Sequence, residues 1–234
     1  MVGGLLDAHP NMIISDEVDV LQYVTAGFSR EQLFHLLLHT SKREMMKGRV
    51  TARRLDPYSF LVPDQWQGRY SQLLTIGDST AGISTQRLAK HPDLIEKLEM
   101  VMDGIPVKII QVIRNPFDPI SIMMIRGKRS FENALNHYFE DCETLGKLRR
   151  DLNHETLYSV RYEDFVSSPA TILANLCVFL GVEATEDYLE SCQRVMSDAP
   201  EQSRHLVEWE SQWIAQVEAY IDRYDFLMGY SYLN

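Results

Sequence analysis

Apolar positions along the chain alternate between two spacings. Short runs rich in β-branched residues recur at strand length: Leu73 to Gly77, Val107 to Ile113, and Leu157 to Arg161. The middle run carries Val107, Ile109, Ile110, Val112 and Ile113 with no turn former inside it, the signature of a buried strand. Between the runs the apolar positions move to helical spacing. Leu33, Leu36 and Leu37 share one face, behind Ser29 and Gln32 placed as a capping box. LIEKLEMVM, from Leu94, follows Pro92 and ends near Gly104. Phe131, Leu135, Tyr138, Phe139, Cys142 and Leu145 form a stripe behind a Ser130 cap. ILANLCVFL is opened by Ser168-Pro169 and stopped by Gly181, and Thr185 caps a further helix through Met196. Leu206, Trp209, Trp213, Val217 and Tyr220 predict a last helix with an aromatic core face. Met1 to Ala8 reads as the tail of a helix closed by His9-Pro10. NMIISDEVDVL then gives a short apolar run and the acids Asp16, Glu17 and Asp19.

Strands separated by helix-length crossovers predict an α/β fold of three layers, a parallel sheet flanked by helices. The three runs are expected as neighbouring strands of one sheet, in a single domain over residues 1–234 without repeats or linkers.

The chemistry gathers where the runs stop. Val107–Ile113 ends abruptly at Arg114-Asn115-Pro116, because proline cannot continue a central strand. An arginine is thereby set at the carboxyl end of a central strand, where ligands bind in open α/β sheets. Ser121, seven residues on, offers a hydroxyl to the same anion; equally, Arg114 could brace its loop by pairing with Asp118. Glu17 has two readings: a partly desolvated carboxylate that accepts a proton, or one member of a solvated acidic loop. The basic segment Lys42, Arg43, Lys47, Arg49, Arg53 and Arg54 reads either as an entrance for anions or as a solvated helix and turn. Trp66 and Arg69 read as exposed loop residues that could contact substrate, and Arg204 as a surface residue that could also reach an anion.

Composition narrows the classes. With 23 basic against 33 acidic residues the formal net charge is -10, which argues against nonspecific nucleic-acid binding; an anion must be held by local cations. The three cysteines, Cys142, Cys177 and Cys192, have no metal-ligand spacing and sit among apolar residues, so they read as reduced core thiols. Nothing in the sequence calls for a metal. No apolar run is long enough to span a membrane, and no secretory signal opens the chain, so a cytoplasmic setting is the default.

Arg114-Asn115-Pro116-Phe117-Asp118 after an apolar strand resembles the 3′-phosphate-binding segment of sulfotransferases, enzymes that use 3′-phosphoadenosine 5′-phosphosulfate. LLDAHPN followed by acids, and the order VRYEDF, SSP, helix, FLGV, resemble the same family. The resemblance covers nearly the whole chain and implies the P-loop NTPase-like sulfotransferase fold. It also implies transfer of a sulfuryl group to a hydroxyl or amine of a small-molecule, carbohydrate or peptide acceptor, with neither nucleic acid nor membrane as partner and self-association left open. On this resemblance Glu17 is the general base, and Arg114 holds the 3′-phosphate with Ser121 or Arg126. Tyr162 lies near the nucleotide or is a locally bonded core tyrosine. Three departures stand out. The family's serine register falls on Ile122, one past Ser121. Ser79 and Thr80 replace the lysine that relatives carry after the second run. The strand and glycine-containing 5′-phosphate loop that precede the LLDAHP helix in relatives have no counterpart, so a truncated first strand and low activity of the chain alone are expected. The alternative is a degenerate protein of the same fold that binds a nucleotide or another anion without turnover.

Overall fold

The computed structural model of the protein describes residues 1–50, 59–80, 82–196 and 200–234; Arg53 and Arg54 of the basic segment lie outside the described residues. The chain begins with α1 (Val2–Leu6), β1 (Met12–Asp16), α2 (Val20–Thr25) and α3 (Arg30–Met46), followed by β2 (Thr75–Ser79), α4 (Ile83–Lys90) and α5 (Leu94–Met102). The middle holds β3 (Ile109–Ile113), α6 (Phe117–Ile125), α7 (Phe131–Asp151), β4 (Leu157–Arg161) and α8 (Tyr162–Ser167). The last helices are α9 (Pro169–Leu180), α10 (Glu186–Arg194) and α11 (Ser211–Ile221). By contacts these elements form two compact units, Met1–Lys108 with Ser168–Ser197, and Ile109–Ser167 with Asp198–Asn234.

The first unit is built on a parallel ladder, β1 with β2, in the register Met12↔Thr75 to Asp16↔Ser79. Met12, Ile13 and Ile14 are buried against α1 and α3, which makes β1 a strand buried on both faces. α3 begins at the foreseen capping box: Ser29 Oγ accepts the Gln32 amide, and Gln32 Oε1 accepts the Ser29 amide at 2.9 Å. Its Leu33 and Leu37 are buried in the core. β2 starts two residues later than the apolar run. Leu74 is 55% exposed, and the Leu74 and Thr75 amides both close on the Asn11 carbonyl before the ladder opens. Gly181 ends α9 in the left-handed conformation expected of a helix stop, with φ 80°. Cys177 and Cys192 are buried free thiols around the fully buried Tyr188, whose hydroxyl donates to the Leu5 carbonyl at 3.1 Å.

The second unit is built on a second parallel ladder, β3 with β4, in the register Ile109↔Leu157 to Ile113↔Arg161. Its core gathers Ile113, Phe117 and Ile120 with the α7 stripe Phe131, Leu135, Phe139 and Cys142, and with Val217 and Ile221 of α11. Each large apolar side chain buried there contributes about 1.5–3 kcal/mol. Phe131 stacks on Trp213 with ring centroids 4.6 Å apart. The last helix is shorter than the apolar spacing predicts. Leu206 belongs to a short 3-10 turn and is 70% exposed, and Trp209 precedes the helix, held by its indole N–H on the Arg204 carbonyl at 3.1 Å.

The fold is mixed α/β with parallel strands flanked by helices, as expected. The expectation of one sheet holding all three runs holds only for β3 and β4, because the partner of β2 is β1. The run that becomes β1 is too short, and too closely followed by acids, to announce a strand. No helix among the described residues is long and apolar enough to cross a membrane.

Candidate functional site

Each ladder places charged groups at its carboxyl end. In the first unit that end is acidic. Glu17 follows directly on β1, exposed and with φ 52°, and its amide donates to the Ser79 carbonyl at 2.9 Å. Asp78, opposite Ser15 in the ladder, turns its carboxylate to the Val18 and Val20 amides at 3.1 and 3.2 Å. Burial pushes the Asp78 carboxyl above the usual range, against the pull of those amides, and the neighbouring Asp16 adds to the rise. Asp19 pairs with Arg87 of α4, whose Nε lies 3.0 Å from Oδ1. The Thr80 and Ser84 hydroxyls share a 2.6 Å hydrogen bond.

In the second unit the strand end is cationic. Arg114 leaves β3 with its guanidinium 4.7 Å from the centre of the Tyr162 ring, a cation–π contact between the ends of two adjacent strands. Its Nη2 donates to the Glu201 carbonyl, and its Nε lies 3.5 Å from Asp118 Oδ2. The bracing of the loop by Asp118 is therefore present but long. The principal partner of Asp118 is Arg204, whose amide reaches Oδ1 at 2.9 Å and whose Nη1 reaches Oδ2 at 3.1 Å. Burial raises the Asp118 carboxyl above its ordinary value; the Arg204 amide and the two guanidiniums counter it.

The turn itself is fixed from several sides. The Asn115 amide donates to Glu163 Oε1 at 3.0 Å, and its side chain donates to the Ser231 carbonyl at 2.9 Å. Glu163 Oε2 accepts the Tyr230 hydroxyl at 2.6 Å. Ser121 lies in α6, fully buried. Among the described residues, Ser121 Oγ and Arg114 Nε are buried without a hydrogen-bond partner. A guanidinium N–H and a hydroxyl with no hydrogen bond are donors of the kind a phosphate takes, so the residues present suit a nucleotide phosphate.

Of the residues expected at the 3′-phosphate, the structure brings Arg114 and Tyr162 into contact. Ser121 is on the following helix, and Arg126 is exposed at the C-cap of that helix. Arg204 is corrected: it is 2% exposed and belongs to the buried pair with Asp118, because a buried carboxylate needs a charged partner. Arg49 is corrected likewise. It is 7% exposed, not solvated, and pairs with Asp7, which also accepts the Ile14 amide at 2.6 Å, the Gly68 amide at 3.0 Å and Ser41 Oγ at 2.9 Å. Trp66 is half-buried, and Arg69 lies over its ring at 5.1 Å. Asp78, Glu163, Arg204 and Tyr230 all shape the strand ends and were not singled out for it. For Asp78 the available signal was a lone acid at the end of an apolar run; for Tyr230 the sequence held none. Among the described residues no cluster of three or more His, Cys, Asp or Glu side chains could hold a metal ion.

A sequence model of the sulfotransferase family matches residues 1–187. No curated protein matches the chain. Among solved structures, a sulfotransferase from Alicyclobacillus acidocaldarius is similar, with 16% identity, 97% of this chain and 90% of that one covered, and a TM-score of 0.50. The sulfotransferase domain of the curacin biosynthetic pathway matches 66% of this chain at 16% identity, with a TM-score of 0.45. That of the Synechococcus PCC 7002 olefin synthase matches 68% at 20% identity, with a TM-score of 0.42. The chain spans 64% and 60% of the length of these last two. The likeness to the Alicyclobacillus protein is one of fold, the P-loop-like sulfotransferase fold. With the family match covering most of its length, the chain belongs to the sulfotransferase family.

Proposed function

We propose that the protein transfers a sulfuryl group from 3′-phosphoadenosine 5′-phosphosulfate to a hydroxyl or amine, with Arg114 binding the 3′-phosphate and Glu17 accepting the proton of the acceptor. The observation that carries this reading is the arrangement of Arg114. It sits at the carboxyl end of β3, and Asp118 is already held by Arg204, so two guanidiniums face one carboxylate there. The two guanidiniums, with Arg114 Nε and Ser121 Oγ buried without a hydrogen-bond partner, favour an added anion. The donor supplies the activated sulfuryl group. The chain's part is to hold the nucleotide in register and to take up a proton as the acceptor attacks, which is catalysis by positioning and charge. Glu17 follows β1 and is solvent-exposed.

Titration with 3′-phosphoadenosine 5′-phosphate, followed by thermal shift, tests the nucleotide. A rise in Tm that grows with concentration and is lost in Arg114→Ala supports it, since a ligand that binds only the folded chain raises its stability. No rise in the parent chain overturns it. A second reading, binding without turnover, draws on Ser79 and Thr80 in the place of a lysine that would offset charge on the departing nucleotide. A Tm shift without sulfuryl transfer to any hydroxyl or amine acceptor would favour that reading.

A further inference from the structure

The turn after β1 holds two non-glycine residues in the left-handed region, Glu17 at φ 52° and Asp19 at φ 61°. Side chains are disfavoured there, and such backbone persists only where its surroundings impose it. Three attachments do so. The Glu17 amide is tied to the Ser79 carbonyl. Arg87 grips the Asp19 carboxylate with Nε and Nη2. The third is Asp78. Its Oδ1 accepts the Val18 amide and its Oδ2 the Val20 amide, and the Asp19 amide turns toward it as well. Successive amides converging on one anion make a nest. Here the anion is the protein's own carboxylate, carried on the neighbouring strand. Glu17 sits between this nest and the end of β1, so its direction of exit from the ladder is set by how the nest is filled.

We propose that Asp78 is a positioning residue: by filling the nest of residues 18–20 it holds the turn in its left-handed form and aims the Glu17 carboxylate at the acceptor. This rests on the reading of Glu17 as the proton acceptor. A carboxylate is suited to the task because both of its oxygens accept, one on each side of the nest. An asparagine at the same place presents one acceptor and two donors, and those donors would face amide N–H groups. Breaking the turn in this way moves Glu17.

The test compares Asp78→Asn, Asp78→Glu and Glu17→Gln in the full chain, by steady-state kinetics and by amide hydrogen exchange at Val18 and Val20. Asp78→Asn is expected to lower kcat about tenfold while the donor KM stays within about twofold, and to speed exchange at both amides. Asp78→Glu keeps the charge and the fold but carries the carboxylate one methylene further. It is expected to lower kcat as well, and it decides the matter if the asparagine variant does not fold. Parent kcat and parent exchange in both Asp78 variants, with Glu17→Gln impaired, would leave Glu17 as the base and overturn the role of Asp78. A parent rate in Glu17→Gln would overturn the reading of Glu17 and this inference with it.

Discussion

The two ladders have the same construction and opposite ends. Each is a pair of five-residue parallel strands. β1 and β2 end among Asp16, Glu17 and Asp78, and Arg87 there is taken by Asp19. β3 and β4 finish on Arg114 and Arg161, where the buried carboxylate, Asp118, is taken by Arg204. In both cases one charge is neutralised by a partner from elsewhere in its unit. A strand end therefore takes its sign from the residues its strands carry, and the pair beside it sets how much of that charge is offset. An acidic surplus suits uptake of a proton, and a cationic surplus suits an anion.

The largest effect is expected at the pair that sets the cationic end. Arg204→Ala removes the close guanidinium and leaves Asp118 buried with the main-chain amide of residue 204 and the long contact to Arg114. It should cost roughly 3–5 kcal/mol in chemical denaturation. It should also shrink the nucleotide-induced Tm shift, because Arg114 is drawn onto Asp118. A variant as stable as the parent would show that the pairing does not set the surplus. Next comes Glu17→Gln, expected to lower turnover about a hundredfold with little change in nucleotide affinity. Unchanged turnover would return Glu17 to a solvated acidic loop. Arg114→Ala should weaken 3′-phosphoadenosine 5′-phosphate by roughly 1.5–3 kcal/mol in calorimetry, the range for charge-assisted bonds. Equal affinities would remove Arg114 from the nucleotide site.

The smallest effect is on pH, in the unit with the acidic end. The buried His9 accepts the Asn11 amide on Nδ1 at 3.1 Å and holds the Glu183 carbonyl on Nε2 at 2.9 Å, which fixes the neutral tautomer. Burial lowers its pKa below 6.5, against the opposing bond to Glu183. A histidine depressed in the folded state is protonated more readily when unfolded. Its contribution is therefore whole above pH 6.5 and is lost as the pH falls below that value. The Tm of the parent should drop between pH 7 and 5.5 more than that of His9→Gln. Parallel curves would assign the acid sensitivity to other groups.

Much of this was legible in the sequence, for reasons that differ by residue. Caps and stops were read directly, because Ser29 with Gln32, Ser130, Thr185 and Gly181 act on backbone a few residues away. Arg114 was legible because Pro116 fixes where its strand must stop. Arg49 and Arg204 were misread as surface residues because their partners, Asp7 and Asp118, are 42 and 86 positions away, and no local pattern reports such a pair. Asp78 was missed for the same reason: the amides it accepts lie about 60 residues earlier. The pairing of β1 with β2, and not of β2 with β3, is again a long-range choice that strand-length runs alone do not specify.

The buried thiols carry a practical consequence. Burial pushes Cys142 and Cys192 up to about 12 and Cys177 to about 11, so at neutral pH all three are protonated and poor nucleophiles. Alkylation can then proceed only through opening of the structure around them. Cys142 belongs to the unit with the cationic strand end, Cys177 and Cys192 to the other. Mass-resolved labelling of the three would clock the opening of each unit separately, with no probe added and no residue changed.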